Sequence, residues 1–138
     1  MAALAEVRQV SGIVVDDGTW IHTRVVCVVK EVLKDRNRPL RPGGRLQFEI
    51  SGGEVAIGKV LVKAWDVPKL QAGRTYFVFA AVNSDTGVLF PNHVPMLVDG
   101  DILVSTQVQI AGAPETTADP LNGFSLGRLL AEVHRLTK

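Results

Sequence analysis

The stretch ISGGEVAIGKV, Ile50 to Val60, sets Gly53, Gly58 and Lys59 in the order G-x-x-x-x-G-K. That spacing belongs to loops that cradle phosphate. Backbone N–H groups surround the anion, the lysine reaches it, a Ser or Thr hydroxyl after the lysine holds Mg²⁺, and a helix starts at once behind. Here Val60 stands at the hydroxyl position, and Glu54 places a carboxylate inside the loop. The residues that follow, VLVKAW, alternate as a strand and soon meet Pro68. The stretch is therefore read as a glycine-rich hairpin whose glycines supply positive φ.

Other reactive side chains are scattered. His22, His93 and His134 have no metal-ligand spacing between any two of them, and zinc needs three or four converging ligands. Asp99-Gly100-Asp101 resembles a fragment of a calcium loop but lacks the further oxygen ligands and the closing glutamate. Turn chemistry alone accounts for Asp beside Gly. There is no Gly-x-Ser-x-Gly elbow. The single cysteine, Cys27, sits in the most apolar strand, where a thiol behaves as a small core hydrophobe, and it excludes both an intrachain disulfide and a cysteine zinc site. The expectation is a protein with no catalytic residues, no cofactor and no metal.

One local charge feature remains. Lys30 to Arg45 holds Lys30, Lys34, Arg36, Arg38, Arg41 and Arg45 against Glu31 and Asp35, a local charge of +4. A basic loop on a small barrel follows a phosphate backbone when aromatic rings stack the bases nearby. Trp20, Phe48 and Trp65 are the available platforms. The candidate contact residues are thus Arg36, Arg38, Arg41, Trp20 and Trp65. Over the whole chain, 15 cations face 14 carboxylates, so no global field draws the protein to nucleic acid or anionic membrane.

The elements that must position these residues are mostly strands. The chain has 138 residues, 46% hydrophobic and 21% charged, which suits one globular domain. No stretch reaches the roughly 18 apolar residues of a membrane helix, and the start, MAALAEVRQVSG, is no signal peptide as it stands. Residues 1–9 read as a short helical turn or a frayed arm. QVSGIVV reads as a strand stopped by Asp16-Asp17-Gly18. TWIHTRVVCVVKEVLK is a long β-branched run with Ile21, Val25, Cys27, Val29 and Leu33 on one face. RLQFEI, KVLVKA and TYFVFAAV follow, and VLF, PML and DILVST are shorter candidates. Residues 111–123 read as a linker. Residues 125–137 read as a helix with Ser125 at the N-cap, Phe124 and Leu129 as its staple, and a stripe of Leu126, Leu129, Leu130, Val133 and Leu136.

The pieces HTRVVCVVKEVLK, ISGGEVAIG and VPKLQAGRTYFVF, with the terminal FSLGRLLAEV, resemble a group of uncharacterised bacterial exported proteins over about residues 10–135. That resemblance implies an extracytoplasmic home, although an export signal of the kind usual in the group is missing here. More distantly the chain is similar to the five-stranded barrel of the netrin and tissue-inhibitor family. That family chelates a protease metal through an N-terminal cysteine; Ala2 stands second here and Cys27 is interior, so the resemblance implies the barrel and not the inhibition.

The expected fold is all-β: one domain, a small antiparallel OB-like barrel of six to eight strands over about residues 10–110, closed by a C-terminal α-helix. The core should include Leu46, Phe48, Ile50, Tyr76 and Val78. The expected function is a non-catalytic binding or interaction module for a protein or small ligand, contacted through loops near Asn37 and Asn92. Single-stranded nucleic-acid binding through loop 30–45 is the alternative.

Overall fold

A computed structural model describes residues 1–15, 18–34, 40–64, 66–82, 88–91, 95–106, 123 and 125–137. Among these described residues nine strands and one helix follow in order: β1 (Ala2–Val15), β2 (Trp20–Lys34), β3 (Arg45–Ser51), β4 (Glu54–Ile57), β5 (Val60–Lys63), β6 (Thr75–Val82), β7 (Leu89–Pro91), β8 (Met96–Asp99), β9 (Ile102–Val104) and α1 (Leu126–Thr137). The class is all-β with every ladder antiparallel and a C-terminal helix, as the alternation predicts.

The expected arm at residues 1–9 is instead the first half of the central strand. Its small side chains explain why. Ala2–Glu6 pairs with β2 on one side and with β6 on the other, and Ala3, Ala5 and Val7 have no exposed surface. An alanine run has high helix propensity in isolation. Here its slim side chains let neighbouring walls close on the middle of a sheet, and tertiary packing overrides the propensity.

The main sheet runs β3-β2-β1-β6-β8-β9, with β7 also paired to β6. β7 and β8 run in the same direction, pairing with the C-terminal and N-terminal parts of β6 in turn. The sheet curls until Cα atoms of β3 and β7 come within 8 Å of each other. No ladder joins those two strands among the described residues, so the expected closed barrel is an open, curled sheet. β7 is three residues long and includes Pro91, which has no N–H to give. That is too little strand to close the seam.

Two clusters fill the two faces. The concave one holds Val25, Cys27, Val29, Leu46, Phe48, Tyr76 and Val78, most of the expected core, with Ile50 partly buried against it. The second holds Ala2, Leu4, Leu33, Phe77, Met96 and Leu103 and is covered by Leu126, Leu129 and Leu130 of α1. Leu33 was expected on the same face as Val29. A bulge separates them: Ala5 pairs with Val29 and Leu4 with Glu31, so Lys30 is an extra residue. An inserted residue flips the side-chain parity. Val32 now packs on the concave cluster and Leu33 on the helix side.

Helix α1 begins as expected at Ser125, whose carbonyl accepts from Leu129 N–H and whose hydroxyl accepts from Arg128 N–H. Asp101 reinforces it, accepting from Gly127 N–H and Ser125 Oγ. Phe124, the linker at 111–122, and the side chains of Val133 and Leu136 lie outside the described residues.

Candidate functional site

Arg36, Arg38 and Trp65, together with Asn37, Asn92 and His93, lie outside the described residues. Arg41 is exposed. The turn that carries it is tied to β2 at Val29, through Gly43 N–H to Val29 O at 2.7 Å and Val29 N–H to Gly44 O at 2.9 Å. Trp20 opens the same strand, nine positions earlier, or about 30 Å along an extended chain. Its indole N–H donates to Ser51 Oγ at 2.8 Å. Phe48 is in the concave core and offers no face for stacking. The structure therefore does not bring Trp20 and Arg41 into one site. Two other cations of the segment are engaged: Lys30 pairs with Glu6 at 3.1 Å, and Arg45 donates to Gln47 at 2.8 Å. The Lys30 bond, with Arg8 close by, holds the Glu6 carboxyl below its ordinary range.

The remaining reactive groups have structural partners. Glu49 is buried opposite Arg24 on the β2–β3 ladder, with one carboxylate oxygen on His22 Nδ1 at 3.1 Å and the other on Arg24 Nη2 at 3.4 Å. With both oxygens engaged, the carboxylate is held in place between two β2 side chains. Burial pushes the Cys27 thiol up to about 12, far from a reactive thiolate. Asp99 and Asp101 flank a tight turn between β8 and β9, and the Asp101 carboxylate caps α1. Among the described residues no three His, Cys, Asp or Glu side chains group to hold a metal ion, and no helix is long and apolar enough to cross a membrane.

The stretch that resembled a phosphate loop forms the strand pair β4–β5, a separate two-stranded sheet beside the main one. Gly58 and Lys59 make a two-residue turn between β4 and β5, with Ile57 opposite Val60 and Gly58 at φ +62°. A strand, not a helix, follows Lys59. The base of this hairpin is locked to the sheet by two glycines. A Cβ on Gly12 of β1 would overlap the Glu54 carbonyl oxygen, and one on Gly53, at φ +104°, would overlap Thr23 Oγ1. Thr23, buried, donates that hydroxyl to Gly52 O at 3.1 Å. Only glycine lets the two backbones approach so closely.

Cross-strand partners share a face, so Val55, Ile57, Val60 and Val62 form one face and Glu54, Ala56, Leu61 and Lys63 the other. Away from the base these side chains are in solvent: Ile57 is 55% exposed, Val60 62% and Leu61 63%. Lys63 reaches on to Asp66 at 2.5 Å. That hydrogen bond raises the lysine pKa and lowers the aspartate's. Beneath the hairpin a cavity of about 510 Å³ opens between Val10, Thr23, Glu54, Lys63, Val67 and Leu70. A second, of about 520 Å³, lies on the other side of Asp66 to Lys69 and reaches Arg74, Tyr76 and Thr106.

The hairpin was visible in the sequence as a turn, but EVAI was not read as a strand. The signal was there: EVAI and VLVK flank a Gly-Lys pair with matched alternation. Exposure was not legible, because alternation says which residues share a face and not what covers it. No family model matches the chain, and no curated protein or solved structure matches it.

Proposed function

We propose that this chain is a non-catalytic interaction module, working outside the cytoplasm as its resemblance to exported proteins implies, and that its partner docks on the β4–β5 hairpin. The observation that supports this reading is the exposure of Ile57, Val60 and Val62 on one face of a hairpin whose base is held by Gly12 and Gly53. Contiguous apolar surface on a rigid projection is characteristic of interaction sites. Fixing the hairpin in advance also removes part of the ordering cost of association.

A photo-crosslinking side chain at position 60, in the natural cellular context, should give a discrete protein adduct. The same side chain at Glu132, exposed on α1, should not. Equal labelling at both sites, or none, would reject the module reading. Nucleic-acid binding through loop 30–45 is the second reading, supported by exposed Arg41. It requires salt-sensitive retention on heparin or oligonucleotide that disappears when Arg36, Arg38 and Arg41 are neutralised together.

A further inference from the structure

We propose that β5 is a strand-addition site: an extended segment of a partner protein, alternating acidic and apolar residues, lies along its outer edge. The inference rests on the hairpin being the docking element and adds how the partner is held.

The backbone supplies the first half of the case. Ala64 N–H donates to Gly53 O at 2.9 Å, so Gly53 and Ala64 form a hydrogen-bonded pair. Such pairs alternate along an antiparallel ladder. Val55 with Val62 and Ile57 with Val60 are then hydrogen-bonded too, while Ala56 with Leu61 and Glu54 with Lys63 are not. The N–H and C=O of Leu61 and Lys63 therefore point away from β4. Among the described strands only β4 pairs with β5, so these groups form an open edge. Open edges are where extended peptides add as an extra strand.

The side chains supply the second half, and β4 shows what β5 accepts on its inner side. Glu54 lies opposite Lys63, a small residue opposite Leu61, and β-branched residues opposite Val62 and Val60. The Glu54 charge also contributes to the raised Lys63 pKa. A strand on the outer edge meets the same surfaces. Its side chains beside Val60 and Val62 must be apolar, and acidic near Lys59; Lys63, already bonded to Asp66, still disfavours a cation opposite it. A second copy of this chain fits poorly. Antiparallel pairing of β5 with itself about Leu61 sets Lys59 against Lys63, and like charges directly opposite are destabilising. The other candidate strand of a copy, β4, already lies against β1 at Gly12.

The test is amide exchange and ¹⁵N-detected titration of the whole chain with a capped hexapeptide of alternating Glu and Val. Saturating peptide should slow exchange at Leu61 and Lys63 at least tenfold, and the same peptide built from Lys and Val should not. Leu61→Pro removes an outward donor while leaving every β4–β5 bond in place. It should weaken binding at least tenfold with the thermal midpoint nearly unchanged. Lys59→Glu should weaken it about threefold and restore the Lys-Val peptide. Unprotected Leu61 and Lys63 amides, or wild-type affinity in Leu61→Pro, overturn strand addition. So does protection of those amides without peptide in a dimeric species, or equal binding of wild type and Leu61→Pro to anionic vesicles. If Ile57→Asp, opposite the crosslinker on the same face, abolishes the position-60 adduct while Leu61→Pro binds as wild type, the module reading survives and strand addition does not. If neither substitution changes capture, both fail.

Discussion

Val25 and Val60 are the same residue in the same kind of alternating strand. Val25 is fully buried at the centre of the curled sheet, and Val60 is among the most exposed apolar residues. The difference lies in neighbours. β2 is flanked by β1 and β3, and its concave face meets Leu46, Phe48 and Tyr76. β5 has one strand beside it, and its tip projects past the glycine lock. Burial is a property of what the topology stacks on a strand, and two strands cannot bury each other. An isolated two-stranded hairpin is marginal in water. This one is held because its base is seated on β1 and β2.

The contrast should appear first in stability. Phe48→Ala, in the concave core, is expected to cost about 3–5 kcal/mol, while Val60→Ala should stay within about 0.5 kcal/mol. Denaturant midpoints of the two variants measure the gap directly, and comparable losses would mean that the hairpin is packed against something. Next comes the junction between the regions. Gly12→Ala forces a methyl group against the Glu54 carbonyl and should cost roughly 1–3 kcal/mol, the range for overpacked sites. Its mark should be faster amide exchange in β4 and β5 with β6 unchanged. Equal acceleration everywhere would show that the hairpin unfolds only with the sheet.

Cys27 sharpens the core side of the comparison through pH. Its folded pKa is raised to about 12 from 9.0 by burial. The unfolded chain therefore loses the thiol proton first, so the thiol's contribution is complete below about pH 9 and is lost as pH rises toward 12. By pH 10 the loss is roughly 1.4 kcal/mol, one pH unit past the unfolded pKa. Cys27→Ala should flatten this alkaline decline. An unchanged slope would place the thiol within reach of water. The smallest effect belongs to the hairpin side. Asp66→Asn should leave the denaturant midpoint within error, because the pair is solvated. It should lower the Lys63 pKa, followed by NMR titration, because the Asp66 bond is what raises it. No movement would mean that the contact is not kept in solution.

Strand identity was legible in RLQFEI from clean alternation and in TYFVFAAV from a short run apolar on both faces; they are β3 and β6, and Leu46, Phe48, Tyr76 and Val78 are in the core. The misses have separate causes. Residues 1–9 were misread because alanine is informative about propensity and silent about sheet position. Leu33 was assigned to the wrong face because nothing local announces the bulge at Lys30. Closure of the barrel was expected from strand count, whereas closure depends on the length of β7 and on Pro91 within it. Of the proposed contact set only Trp20 and Arg41 lie among the described residues, and those two stand apart because sequence nearness to one strand does not place residues at the same end of it. Trp20 and Arg41 flank β2 from positions about 30 Å apart.

The position of β1 bears on how the protein is made. The Met1 ammonium donates to Ala80 O at 2.7 Å, a contact 79 residues long, and Ala2–Glu6 pairs with Thr75–Phe79. During synthesis at about 5–20 residues per second, the innermost strand leaves the ribosome some 4–16 s before its second neighbour exists. Through that interval one flank of an apolar Ala-Ala-Leu-Ala segment stays open to any passing chain. Holding factors would have their greatest effect at that stage, before β6 arrives to shut it.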